Sequence, residues 1–224
     1  MAVTRTSEEA LPAVLRLRVA LLGIKPTPWR RIEVAAVTTL VELHAVIQAA
    51  MGWEDLHLHH FRILGRRHDP EYADLARVRL ADLRLRAGER FAYVHNYSAP
   101  WEHELRVEAV GPSLTGRRYP RCIAGQHACP PEWCPGPEAL DEIKAELLGL
   151  SYVEDLQLMA EFGRAVLDAH DGLVRDALNV VGVDNLERAL SRQKSREALL
   201  ACFDRRGVNT ALSRLTTAHA GAMP

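Results

Sequence analysis

Cysteine and histidine, the side chains best suited to binding metals or attacking carbonyls, crowd into a few short stretches of this 224-residue chain. Three of the four cysteines, Cys122, Cys129 and Cys134, fall within thirteen residues among prolines and glycines that disfavour helix and sheet. Their spacings match no standard zinc-finger pairing, yet three thiolates and one imidazole would close a tetrahedral site. A catalytic thiol would instead need a lowered pKa beside a cation, for which the chain offers Arg121 and His127. Cys202 lies in a helical pattern and is expected in the core.

The histidines form two further groups. In His57-Leu58-His59-His60-Phe61, a strand would place His57, His59 and Phe61 on one face, with the two imidazoles ~7 Å apart along it. Such a pair can share a metal ion or line a polar pocket. His103 alternates with Trp101, Leu105 and Val107, and His95 with Phe91, Tyr93 and Tyr97. If these two runs form a hairpin, His95 and His103 project to the same side. Each histidine taken alone is better read as a hydrogen-bonded core residue. The expected metal ligands are therefore Cys122, Cys129, Cys134, His57, His59 and His103, with zinc as the metal. His95, Trp101 and Arg121 are expected to line a pocket beside them. Glu102 and Glu104 flank His103 but point away from it. No phosphate loop, dinucleotide fingerprint, nucleophile elbow or His-Glu-x-x-His helix is present.

The elements that must position these residues are legible in the pattern. Leu15, Leu17, Val19 and Leu21 alternate with Arg16 and Arg18 as in a half-buried strand, and Arg30–Val34 reads as its partner across the Lys25–Pro28 turn. The clearest helix begins at Thr39, with Glu42 completing a capping box. It continues through Leu40, Leu43, Val46, Ile47, Ala50 and Met51, and stops at Gly52. Residues 56–64, 91–97 and 101–110 read as strands, the last with alternating wet and buried positions. After Pro137 helices are expected over residues 138–148, 152–170, 173–181 and 185–203. A short one is expected over 209–215, followed by a frayed tail.

Composition narrows the class. With 48% hydrophobic and 25% charged residues the chain reads as globular. Arg16 and Arg18 interrupt the apolar run near the start, so it is neither a membrane span nor a signal-peptide core. A cytoplasmic protein with reduced thiols and no membrane partner is expected. The net charge of −1 conceals an uneven spread: residues 57–125 carry twelve arginines against eight acids, residues 126–224 ten basic groups against fifteen acids. The arginines of the middle segment alternate with acids in a way that suits a solvated surface better than a nucleic-acid footprint.

Three blocks resemble the plasmid pRiA4b open-reading-frame-3-like family, whose members are often labelled insertion-sequence resolvase-like. The first runs from Ile24-Lys25-Pro26-Thr27-Pro28-Trp29 through Gln48-Ala49-Ala50-Met51-Gly52-Trp53. The second is His57-Leu58-His59-His60-Phe61, and the third Trp101-Glu102-His103-Glu104-Leu105. The loop Tyr119–Gly125 with Cys129-Pro130-Pro131-Glu132 completes the likeness over residues 14–137, and Phe203-Asp204 and Val208-Asn209 echo the family's ending. The chain departs where the family shows Tyr-x-Tyr-Asp-Phe-Gly-Asp-x-Trp, because Asn96 and Ala99 stand at the two acidic positions. The family's third loop cysteine varies, so Cys134 is the less secure ligand, and residues 150–200 look like an addition.

The resulting expectation is an α+β fold, a mostly antiparallel sheet packed on one main helix with a Cys/Pro-rich loop and a helical C-terminal extension. Residues 1–137 would form the family domain and 138–224 the helical region. A non-enzymatic binding or accessory protein, associated with plasmids or mobile elements and built around a Cys/His site, is the first functional reading. The alternative implied by the resolvase-like label is a nucleic-acid-processing enzyme or accessory factor, with Arg30, Arg31, Arg117, Arg118 and Arg121 gathered on a phosphate. A third is a module that docks a protein partner through its helical C-terminal region.

Overall fold

Seven strands and six helices make up the described part of the chain. The computed structural model describes residues 13–71, 74–168 and 174–220, with backbone alone for 217–220. The strands are β1 (Ala13–Leu21), β2 (Trp29–Ala35), β3 (His59–Ile63), β4 (Arg66–His68), β5 (Arg90–His95), β6 (Trp101–Pro112) and β7 (Arg121–Gln126). Helix α1 (Leu40–Met51) lies between β2 and β3 in the chain. The helices α2 (Leu140–Leu148), α3 (Leu150–Asp168), α4 (Val174–Val181), α5 (Val183–Leu200) and α6 (Arg205–Ala220) follow β7. The strands form one sheet in the order β4-β3-β5-β6-β1-β2-β7, antiparallel at every pairing. The α+β class expected from the sequence is the one observed.

Local chemistry explains the helix that covers this sheet. The Thr39 hydroxyl accepts from the Glu42 backbone N–H and the Glu42 carboxylate accepts from the Thr39 N–H, the anticipated capping box. Gly52 ends the helix in a left-handed conformation, φ 84°, which costs a residue without Cβ nothing. Leu40, Leu43 and Ile47 are fully buried, as are Leu17, Ile32, Val34, Leu105 and Val107 of the sheet. Along β6 the expected alternation holds: Trp101, His103, Leu105 and Val107 face inward, while Glu102 and Glu104 pair with Arg62 and Arg90.

The chain divides into two compact units, one formed by residues up to Cys129 with those from Phe203 onward, the other by Pro130–Cys202. The division differs from the expected boundary at residue 137, because the last helix joins the sheet. Asn209 on α6 accepts from the Cys122 N–H and donates to the Cys122 carbonyl, both at 2.9 Å. A side-chain amide thus occupies the outer edge of β7 as a further strand would, masking backbone groups that invite aggregation. Helix α6 is also longer than expected, reaching Ala220 where a frayed tail was anticipated. The expected helix ends at His170 and Leu173, and the last four residues, lie outside the described residues.

Two other expectations are corrected. Cys122 lies on β7, paired with Ile32, not in a loop. Cys202 is exposed just beyond the end of α5, not in the core.

The second unit has its own polar centre. Asp155 of α3 is 2% exposed and its carboxylate bonds Arg192 and, at 2.7 Å, the equally buried Arg196 of α5. The Arg192 guanidinium holds the Asp155 carboxyl below its ordinary pKa. Replacing Asp155 with Asn keeps the shape but removes the charge facing two cations. We expect a loss of about 2–3 kcal/mol in unfolding free energy, read from urea melts followed by far-UV circular dichroism. No helix among the described residues is long and apolar enough to cross a membrane.

Candidate metal centre

The register of three neighbouring strands assembles an aromatic and imidazole face beneath α1. His59 pairs with His95, His95 with Trp101, Phe61 with Tyr93 and Tyr93 with His103. Tyr93, His95, Trp101 and His103 are each fully buried. Helix α1 contributes two polar side chains one turn apart on its buried face, His44 and Gln48. Gln48 donates to the Tyr93 hydroxyl at 2.8 Å, lies 3.3 Å from His95 Nδ1, and accepts from the Asp55 backbone N–H at 3.2 Å. It therefore ties the sheet to the loop after α1. Trp53 in that loop stacks on His95, with ring centroids 5.2 Å apart, and meets His103 edge-on at 5.3 Å.

His44 is the hinge of the cluster. Its Nδ1 lies 2.8 Å from the Tyr93 hydroxyl and its Nε2 lies 2.9 Å from Asp55 Oδ1. Its ring stacks on that of His59, centroids 3.5 Å apart and planes within 5°. The buried His59 Nε2 has no hydrogen-bond partner. A ring nitrogen of each imidazole and a carboxylate oxygen of Asp55 lie within 4.8 Å of one another. Asp55 holds a left-handed backbone, φ 62°, a conformation that aspartate tolerates better than most residues. Burial, reinforced by the neighbouring His44, lowers the His59 pKa to about 4, so the ring is neutral with a lone pair available near neutral pH. The cluster opens onto a cleft of about 530 Å³ lined by both histidines.

His44 was not singled out in the sequence, nor was Asp55. The signal was present in α1, where His44 and Gln48 sit four residues apart within the apolar stripe, an arrangement that buries two polar groups together.

The residues expected to bind metal are distributed differently. His59 joins the three-donor group. His57 lies just outside β3 rather than on it, its ring 5.5 Å from that of His95. His103 is completely buried, with Nδ1 3.1 Å from the Trp101 carbonyl. Among the described residues no three-donor group forms around Cys122 or Cys129. Cys122 lies five strand positions along the sheet from His59, roughly 24 Å at the usual strand spacing. Cys129 packs its thiol 3.1 Å from the Met51 sulfur. Cys134 is buried in the second unit, donating to the Gly136 carbonyl. Burial raises all three thiol pKa values, that of Cys129 to about 11, the opposite of what a thiolate ligand or nucleophile needs. Of the expected pocket residues, His95 and Trp101 sit in the cluster's aromatic floor. Arg121 stands four strand positions from His95 and faces Glu33 at 3.9 Å.

The buried His103 carries a pH consequence. Burial lowers its pKa to about 3, against an ordinary value of 6.5. Above pH 6.5 both folded and unfolded chains hold it neutral and its contribution is intact. As pH falls from 6.5 toward 3 the unfolded chain alone takes up the proton, and stability declines by about 1.4 kcal/mol per pH unit. The His103 share of the loss should reach about 2 kcal/mol by pH 5, and His59, also depressed by burial, adds to it over the same range. Denaturant melts between pH 5 and 7.5 check it, since His103→Asn should flatten the slope by about one proton.

The sequence pattern of one family, described as plasmid pRiA4b ORF-3-like protein, matches residues 13–162. The chain belongs to that family. The chain is 33% identical over 138 residues to the uncharacterized protein y4hQ of Sinorhizobium fredii (strain NBRC 101917 / NGR234), spanning 58% of this chain and 71% of that one. Among solved structures, a protein of unknown function, MM3350, from Methanosarcina mazei Go1 is similar at 30% identity with a TM-score of 0.57, over 67% of this chain and 90% of the other. The pRiA4b ORF-3-like match extends past the sheet into α3, beyond the residues that carried the resemblance. Asn96 accepts from the Ser98 and Ala99 N–H groups and so makes the turn between β5 and β6 itself.

Proposed function

We propose that this plasmid-family protein is a non-enzymatic binding or accessory protein whose first unit takes up a divalent transition metal at His44, Asp55 and His59. The single observation that carries the reading is the convergence of three donor atoms within 4.8 Å of one another. Two imidazoles and a carboxylate suit zinc in particular, a borderline metal that accepts nitrogen and oxygen ligands alike. The surrounding bonds supply what metal-binding histidines need. Were His44 Nε2 to hold a metal, the ring would carry its proton on Nδ1, where the Tyr93 hydroxyl 2.8 Å away would accept it and fix tautomer and orientation. The two rings lie parallel, so their in-plane lone pairs do not converge as they stand, and a ring would have to turn for both to hold one ion.

The alternative, an enzyme that processes nucleic acid, gains little support. Arg30 donates to four backbone carbonyls, Arg31 to Glu108, and Arg121 faces Glu33. Three of the five arginines that would hold a phosphate are thus occupied within the fold. Calorimetric titration of chelator-treated protein with zinc tests the metal reading. One equivalent bound with micromolar or tighter affinity is the expected result, and the absence of saturable binding would sink it.

A further inference from the structure

We propose that the metal site is an open one, which keeps a coordination position facing the cleft and there takes a small neutral nitrogen donor with an apolar body. This rests on the metal reading above. Structural zinc sites are closed by four protein ligands, whereas three protein ligands leave the fourth position to water or an exogenous molecule. Here His44, Asp55 and His59 supply three donors and no fourth His, Cys, Asp or Glu joins the group among the described residues.

The direction in which that position opens is set by the fold. The His44 ring is held from behind by Tyr93, and His59 contacts Tyr93 and Phe61 on its sheet side, so protein fills one side of the pair. On the other side both rings line a cleft of about 530 Å³, within the usual range for small-molecule sites. Its walls include the apolar side chains of Val41, Pro70 and Leu75, which favour a ligand with a hydrocarbon or aromatic body. Glu71 and Asp74 also line it. Asp74 is neutralised by Arg77 at 2.7 Å, which leaves the Glu71 carboxylate as the negative group of the wall that disfavours an anion. A neutral nitrogen base satisfies all three features: it coordinates, it does not meet the Glu71 carboxylate with like charge, and its body packs on the walls.

Cobalt-substituted protein gives the test, with 4-methylimidazole as the neutral probe and azide as the anionic one. The visible bands of bound cobalt report its ligands directly. Saturable change of those bands by 4-methylimidazole, at concentrations at least tenfold below those needed for azide, is the expected result. Ala76→Trp, which narrows the cleft from an exposed wall position outside α1, should bind cobalt as before and lose the response to the probe. Cobalt bands that neither probe moves would mean a closed site and overturn this inference while leaving the metal reading intact. A tighter response to azide, or release of cobalt as the probe is added, would overturn it as well. Failure to bind cobalt at all would remove both.

Discussion

Replacing Arg30 with alanine should lower the unfolding free energy by about 3–5 kcal/mol, measured by urea denaturation followed by tryptophan fluorescence. Arg30 is 3% exposed, and its guanidinium donates to the carbonyls of Ala50, Trp29, Gln126 and His127 at 2.8–3.1 Å. Ala50 lies in the last turn of α1, where unpaired carbonyls gather negative charge that a cation offsets. The same guanidinium stacks on the Phe203 ring at 4.4 Å. One side chain thus fastens β2, the end of β7, the C-terminus of α1 and the start of the last segment. Hydrogen bonds from a charged donor contribute roughly 1.5–3 kcal/mol each, and several carbonyls lose theirs together, with partial rescue by water. Arg30→Lys should recover less than half of the loss, because an ammonium has no planar fork and stacks poorly. A variant within 1 kcal/mol of the parent would show that these carbonyls find water at no cost.

Gly125 belongs to this clasp. A Cβ there would come within 2.6 Å of the Phe203 ring, so the ring can cover β7 only because the residue beneath it has no side chain. The sequence announced Gly125 and Phe203-Asp204 as family-like positions, yet their contact spans nearly eighty residues and no local pattern could reveal it.

What was legible in the chain is what short-range physics controls. The capping box at Thr39, the alternation in β6 and the hairpin from His95 to Trp101 each depend on neighbours within a few residues. The site was half legible for the same reason. His59, His95 and His103 share a face once strand periodicity is granted, and the structure keeps them together. His44 escaped because an apolar helix stripe hides a histidine that alone suggests only core, and Asp55 because a short loop displays no periodicity. The cysteines show the converse. Their closeness in sequence suggested one shared site, whereas β7 holds Cys122 in the edge strand of the sheet and Cys134 belongs to the other compact unit. Proline before Arg121 does not prevent strand here, since Pro120 precedes β7 and that strand pairs with β2 alone among the strands.

These two ligand sets make opposite demands on the same titration. Under the reading from the structure, His44→Ala, His59→Ala and Asp55→Asn should each weaken zinc binding by a hundredfold or more, because a three-ligand site that loses one donor retains only two. Cys122→Ser, Cys129→Ser and Cys134→Ser, combined or singly, should leave the zinc affinity within about threefold of the parent. Tyr93→Phe should fall between, at about tenfold to hundredfold, since it removes the hydrogen bond that orients His44 without removing a ligand. His59→Ala is the most informative of the set, because the residue is only partly buried and its removal leaves the fully buried Tyr93, His95, Trp101 and His103 in place. Zinc affinity lost with the cysteines and kept with the histidines would return the site to the loop and leave the His44–His59 stack a packing feature of the core. The reverse outcome would show that the thiols, held protonated by burial, serve the fold alone and that the histidine cleft is where this protein meets its ligand.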